Sequence, residues 1–216
     1  MSELSSHIEK LRVDYSLKRF DEADVLADPF VQFEQWLHEA IQAQVNEPNA
    51  MVLSTIKPDL SPSSRAVLLK GFSRNGLIFY TNYESNKAKQ ISHNNRVALN
   101  FLWLELQRQV RVEGIVTTLN DEENDRYFIS RPTGSQIGAH ASPQSAVVQG
   151  REELERRFRE FESLFNQKPI VRPRHWGGFV VIPHLFEFWQ GRENRLHDRF
   201  QYQQIKDGWQ IDRLAP

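Results

Sequence analysis

The sequence predicts an α+β domain, mainly antiparallel β, with peripheral helices and strands closed or nearly closed into a barrel. Three observations lead there. Runs rich in β-branched and aromatic residues fill the middle and the end of the chain. The gaps between them are short and carry turn signals such as "KPDLSP" and "RNG", which favours antiparallel neighbours over crossover helices. The length, 216 residues with 39% hydrophobic and 25% charged, suits one ordinary domain.

Residues 1–27 are polar and carry only a weak helical pattern (Leu4, Ile8, Leu11, Tyr15), so they read as a mobile arm or a short docked helix. The domain proper then runs from 28 to 216. In "DPFVQFEQWLHEAIQAQV", Asp28 can cap a helix, Pro29 fits its first position, and Phe33, Trp36, Leu37, Ala40 and Ile41 form its apolar stripe. Strands follow at "AMVLSTI", "SSRAVLLKGF", "LIFYT", "RVALNFLWL" and "QRQVRVEGIVTTL", with a helix at "SNKAKQISHN" between the third and fourth. Asn120 and Glu123 have capping-box spacing at the start of a further helix through Tyr127. "REELERRFREFESLF" is a third clear helix, with Leu154, Phe158, Phe161 and Phe165 on one side. Strands return at "GGFVVIPHLFEFWQG", "RFQYQQI" and "GWQIDRL", making roughly eight in all.

Composition narrows the function classes. A net charge of −1 argues against a general nucleic-acid binder. With no cysteine there are no disulfides, thiolate metal sites or thiol nucleophiles. The start lacks a signal-peptide core and no apolar run approaches a membrane span, so the expectation is a soluble, cytoplasmic protein. The seven histidines have no strong metal spacing, and the common dinucleotide, nucleoside-triphosphate and nucleophile-elbow loops are missing. Scattered anion ligands without obvious acids, bases or nucleophiles suit an enzyme whose cofactor does the chemistry.

Extended, "SSRAVLLKGF" sets Arg65, Val67 and Leu69 on one face and Ala66, Leu68 and Lys70 on the other. Two solvated strand ends are the plain alternative to a pair of anion ligands. At "FYTNYESNKAKQ" a strand ends at Tyr80 and Thr81 and a helix begins near Ser85, with Lys87 in its first turns; free N–H groups, hydroxyls and a lysine there suit a phosphate. Gln107, Gln109, Arg111 and Glu113 share a strand face, solvated or turned to a planar polar ligand. Tyr127, Arg131 and Ser135 would line one side of a continued helix, although Pro132 is expected to break it. Extended, "NRLHDRF" puts Arg195, His197 and Arg199 on one face and Leu196 and Asp198 on the other.

The segments "RAVLLK", "FYTNYESNKA", "QRQV", "SRPTGSQIGAHASPQS", "HWGGF", "FEFWQG", "RLHDRF" and the "RLAP" end together resemble the pyridoxine/pyridoxamine 5'-phosphate oxidase family. The resemblance runs from about Arg12 to the C-terminus. It implies an FMN-binding split β-barrel and a homodimer with FMN at the subunit interface. Arg65, Ala66, Val67, Leu68, Leu69 and Lys70 would line FMN, with Tyr80, Thr81, Asn86 and Lys87 at its phosphate and ribityl chain. Gln109, Gln144, Ser145, Trp189 and Arg199 would complete that site. For substrate it implies Lys70, Tyr127, Arg131 and Ser135 at the phosphate, and Arg195, Leu196 and His197 at the pyridine ring. Arg195 and His197 are the catalytic candidates, and Arg12, Val13, Asp14 and Tyr15 form a lid. Two positions depart from the pattern: Asn86 replaces a common basic residue, and His140 stands where some relatives carry Trp. Asp198 is left without a catalytic role and is expected to pair with a nearby base.

The implied reaction takes two electrons from C4' of pyridoxamine or pyridoxine 5'-phosphate, forms pyridoxal 5'-phosphate and reduces O2 to hydrogen peroxide, a step of vitamin B6 biosynthesis. Another split-barrel flavin reductase and a non-catalytic binder of flavin or pyridoxal phosphate are the alternatives.

Overall fold

The computed structural model describes residues 3–11 and 14–216. The expected Arg12 and Val13 ligands lie outside the described residues. The fold is α+β and mainly antiparallel. Its elements are α1 (Glu3–Ile8), α2 (Pro29–Gln42), β1 (Ala50–Ile56), β2 (Pro62–Leu68), β3 (Gly71–Ser73), β4 (Gly76–Asn82), α3 (Asn86–His93), β5 (Arg96–Trp103), β6 (Arg108–Thr118), α4 (Asp121–Ser130), α5 (Thr133–Ala141), α6 (Arg151–Phe165), β7 (Trp176–Gln190), β8 (Asp198–Ile205) and β9 (Gly208–Arg213). The strands follow the order β2-β1-β5-β6-β7-β4-β3, with β8 paired to β7 and β9 to β8. No helix among the described residues is long and apolar enough to cross a membrane.

Two compact units form. One gathers Met1–Pro48, Phe101–Arg111 and Leu185–Pro216; the other gathers Asn49–Asn100 and Val112–His184. The chain passes from one to the other between Pro48 and Asn49 and again within β5, β6 and β7.

The core of the first unit is aromatic. Phe20, only 2% exposed, meets Trp36 edge-on at 4.9 Å and Phe200 at 5.1 Å, while Phe186, Phe188 and Tyr202 are fully buried. Such edge-to-face pairs add to the gain from burial itself. The arm is therefore anchored in this core at Phe20, whereas Leu4, Ile8 and Leu11 stay exposed. Asp28 caps α2, accepting from the Phe30 N–H. The stripe of α2 is shifted from the expected one: Phe30 is buried and Ile41 is 55% exposed, because Ile41 falls one position past the Phe33–Leu37–Ala40 row. Arg108 was not anticipated in this core. It is 4% exposed, lies 4.2 Å over the Trp36 ring, and donates to Glu39 and Gln190.

In the second unit β1 pairs antiparallel with β2, setting Leu53 opposite Arg65. The run "SSRAVLLKGF", expected as one strand, is two. The Leu69 N–H bonds to Asn49 O and the Lys70 N–H bonds to Ile78 O, so the chain leaves the β1 partner and joins β4, giving nine strands among the described residues rather than eight. Asn120 caps α4 by accepting from the Glu123 N–H. Pro132 ends the helical path as expected, with Arg131 closing α4 and α5 starting at Thr133. His140 has a packing role: its ring lies 4.7 Å from Phe165 and 5.5 Å from Phe161, and Nε2 bonds Val171 O. Burial holds its pKa below the ordinary histidine value, so the neutral ring donates from Nε2 to that carbonyl.

Candidate functional site

The site residues expected from the sequence collect in three places, two in the second unit and one in the first.

The first place lies where β4 runs into α3. Alternation in β2 and the residues after it holds as read: Arg65 and Val67 are half-buried and Leu69 buried, while Ala66, Leu68 and Lys70 are exposed. The Arg65 guanidinium donates to Leu53 O, Thr55 Oγ1, Ser63 Oγ and Gln90 Oε1. Lys87 Nζ, from the first turn of α3, donates to Thr81 Oγ1 at 3.1 Å and to Gln144 Oε1 at 2.8 Å. Thr81 Oγ1 also donates to Gln144 Oε1. Burial, and then repulsion from Arg65, hold the Lys87 pKa below the ordinary lysine value. Among the described residues, neither cation's hydrogen bonds reach a carboxylate. Two cations, hydroxyls and a helix start with uncompensated charge fit an anionic group such as a phosphate. Ser145, with φ of 73°, adjoins Gln144, and Asn86 is exposed beside Lys87.

The second place is an aromatic stack. The Tyr80 and Tyr127 rings stack at 3.8 Å, and Tyr80 and Trp176 at 5.3 Å. Burial pushes the Tyr80 hydroxyl pKa up to about 12, so it keeps its proton. The Arg131 guanidinium lies 4.4 Å over the Trp176 ring. Its Nη1 is buried and, among the described residues, has no hydrogen-bond partner. A buried unpaired guanidinium nitrogen is costly and points to a ligand that satisfies it. Tyr80, Tyr127 and Arg131 are thus brought together, while Ser135 is exposed in the first turn of α5.

The third place corrects the reading of "NRLHDRF". Glu193–Arg195 is a 3₁₀ turn, with φ of 55° at Asn194 and 61° at Arg195, and β8 begins only at Asp198. Arg195 and Leu196 are exposed and share no strand face with Arg199. A cavity of about 470 Å³ is lined by Leu11, Asp14, Tyr15, Arg192, Asn194, Arg195 and His197. The His197 ring sits 4.6 Å from Trp189 and 5.8 Å from Tyr15. The Arg192 N–H donates to His197 Nδ1 at 3.0 Å, so Nδ1 is an acceptor and the neutral ring carries its proton on Nε2. Burial, then the charges of Arg195 and Arg199, lower the His197 pKa against the pull of Asp198.

Asp198 pairs with Arg192 at 2.8 Å and Arg213 at 3.0 Å, the expected basic partners. Arg199 pairs with Glu187 at 2.8 Å, and Glu187, 4% exposed, also holds Arg111 at 2.7 Å. Gln109 is half-buried on β6, but Gln107 sits before that strand in a left-handed turn. Trp176, Gln90 and Glu187 were not singled out. The signal for Glu187 was present: a lone carboxylate inside the apolar run "LFEFW" calls for basic partners.

Residues 37–165 match the family model for pyridoxamine 5'-phosphate oxidase, and residues 176–216 match the pyridoxine 5'-phosphate oxidase C-terminal dimerisation region. The chain is 51% identical over 209 residues to pyridoxine/pyridoxamine 5'-phosphate oxidases of Burkholderia mallei and Burkholderia thailandensis, covering 95% of this chain and 97% of theirs. Among solved structures it resembles PhzG from Burkholderia lata, in complex with tetrahydrophenazine-1-carboxylic acid. That match has a TM-score of 0.86 and 29% identity, covering 92% of this chain and 98% of that one. A pyridoxamine 5'-phosphate oxidase-related, FMN-binding protein from Nostoc punctiforme shares the fold at a TM-score of 0.69 and 16% identity, covering 89% of this chain and 100% of that one. The fold is a split β-barrel of this kind.

Proposed function

The chain belongs to the pyridoxamine 5'-phosphate oxidase family, and from that premise we propose that it oxidises pyridoxamine 5'-phosphate and pyridoxine 5'-phosphate to pyridoxal 5'-phosphate. An oxidoreductase with a flavin cofactor is what the family supports. The phosphorylated pyridine substrates, FMN as the flavin, O2 as acceptor, cytoplasmic location and a homodimer with FMN at its interface are our reading. The observation that carries it is the buried, partnerless Nη1 of Arg131 over Trp176, a half-built anion site beside two tyrosines.

Arg65, Thr81, Lys87 and Gln144 would hold the flavin phosphate, with Ala66–Lys70, Tyr80, Asn86, Gln109, Ser145, Trp189 and Arg199 completing the site. The chemistry a bound FMN would supply is two-electron transfer: a hydride leaves C4' and a proton leaves the substrate's amine or hydroxyl group, and both electrons and both protons end on O2 as hydrogen peroxide. Water then hydrolyses the imine formed from the amine substrate to aldehyde and ammonia, whereas the alcohol gives the aldehyde directly. Lys70, Tyr127, Arg131 and Ser135 would clamp the substrate phosphate. Asp14, Tyr15, Arg195, Leu196 and His197 would enclose its ring, Arg195 as a fixed charge, since guanidinium keeps its proton. His197 would donate from Nε2. Glu187, already holding Arg199 through two nitrogens, would fix that guanidinium's orientation.

The purified protein is expected to be yellow, and pyridoxamine 5'-phosphate should bleach the flavin spectrum anaerobically, with peroxide released on admitting air. A colour that no phosphorylated pyridine bleaches would favour a binder. Bleaching by tetrahydrophenazine-1-carboxylic acid alone would move the substrate class toward the compound that PhzG holds.

A pH effect follows from His197. Its pKa is lowered, so the neutral form holds at and above the ordinary histidine range. Protonation on acidification breaks the Arg192 N–H to Nδ1 bond and adds charge beside Arg195 and Arg199. The acid limb of kcat/KM should therefore fall at a pH below the ordinary histidine pKa, and His197→Gln should remove that limb. A limb that persists unchanged in the variant excludes His197 as its source.

A further inference from the structure

We infer that Gln107 is a positioning residue that clasps the Asp14–Leu17 segment shut over the Trp189–His197 pocket, with Gly191 as the seat on which Tyr15 closes. The inference deepens the proposed function, because it rests on reading Tyr15 as a lid over the substrate.

The side-chain amide of Gln107 faces the arm with both its groups. Its Oε1 accepts from the Leu17 N–H at 3.3 Å, and its Nε2 donates to Asp14 O at 3.5 Å. These two bonds straddle Tyr15, whose ring lies 5.8 Å from both Trp189 and His197. The backbone of Gln107 is itself held: its carbonyl accepts from the Gly191 N–H at 2.8 Å and from Gln190 Nε2 at 3.2 Å. Gln190 in turn accepts from the buried Arg108 at 2.7 Å. The clasp is thus mounted on the core of its unit. A β-carbon at Gly191 would fall 2.8 Å and 2.9 Å from Tyr15 atoms, closer than real contacts allow, so only glycine lets the ring rest there. Gln107 has φ of 54° and ψ of 42°, the left-handed region, where glycine or asparagine would be less strained. A residue serving only the turn would be glycine; glutamine supplies the amide that the arm needs.

The test uses the full-length flavin-loaded protein and two variants, Gln107→Gly, which keeps and relaxes the turn, and Gly191→Ala. Hydrogen exchange at the Leu17 amide should quicken roughly 5- to 30-fold in each variant, while amides in β8 keep their wild-type rates. With pyridoxamine 5'-phosphate, KM should rise by a similar factor and kcat should stay within about twofold, as expected when closure contributes binding shared by ground and transition states. Unchanged Leu17 exchange in both variants overturns the clasp. So does a rise that extends through β8, which would mean a loosened fold rather than a released arm. Absent oxidation by the wild-type protein would sink the substrate reading alone, since the exchange result judges the clasp by itself.

Discussion

Arg195→Leu is expected to lower kcat/KM for pyridoxamine 5'-phosphate by about 10²- to 10³-fold, the usual effect of removing a preorganised charge from a reacting centre, while flavin content stays normal. The structure makes this a clean comparison. Arg195 is held at φ of 61° in a 3₁₀ turn, a conformation that costs leucine as much as arginine, so the backbone strain cancels between the two proteins. The side chain is exposed at a cavity wall and buries little apolar surface, so folding should be untouched. The cations proposed for the flavin phosphate, Arg65 and Lys87, belong to a separate hydrogen-bonded group, so cofactor retention should not follow the loss. Steady-state kinetics with a flavin absorbance measurement decide the matter. Near-normal turnover would remove Arg195 from the site.

Arg131→Met is expected to raise KM for pyridoxamine 5'-phosphate about 10- to 100-fold, an effect of the size of one charge-assisted hydrogen bond, with no drop in Tm. The second half distinguishes this residue from an ordinary structural arginine. Its Nη1 is buried and unpaired, so the free protein carries an uncompensated desolvation cost that methionine removes. What is lost is the cation–π contact to Trp176, worth about 0.5–2 kcal/mol, and methionine restores part of it through packing against the ring. Thermal denaturation and KM measured on one preparation provide the check. A falling Tm with unchanged KM would make Arg131 a packing residue and leave the phosphate clamp elsewhere. Lys70→Ala in the same background should add to the rise in KM, since the exposed Lys70 is the proposed second cation.

How far the fold was legible depended on whether an element's partner is local. α2, α6 and β1 could be drawn from periodicity and caps because those signals sit within the element. The division of "SSRAVLLKGF" was hidden, since it arises where Leu69 and Lys70 exchange one partner strand for another and no local residue marks the exchange. Arg108 was missed for the same reason. A charged residue at a strand start reads as solvated, and it is Glu39, Gln190 and the Trp36 ring, all far away in sequence, that make its burial tolerable. At the site, residue types were easier to read than their geometry. Tyr127, Arg131, Lys87 and His197 were named from the chain. Yet the alternation assumed through Arg195 failed, because two left-handed residues turn the backbone before β8 begins. Residues that hold others, such as Glu187, Gln90 and Gln107, carry no chemistry of their own and stand out only once their partners are in place.

The first unit joins three stretches far apart in sequence, Met1–Pro48, Phe101–Arg111 and Leu185–Pro216, and that sets a delay during synthesis. The Phe20 amide bonds to Asp198, 178 positions later, and the Phe20 ring is enclosed partly by Phe188 and Phe200. At about 5–20 residues per second, a ribosome needs roughly 10–35 s to supply those partners. Throughout that interval the apolar face of α2 has only part of its cover. Phe20 therefore waits longest for its cover: Phe101, Arg108, Phe186 and Phe188 reach α2 first, and only β8 brings the Phe200 ring and the Asp198 carboxylate that close over Phe20.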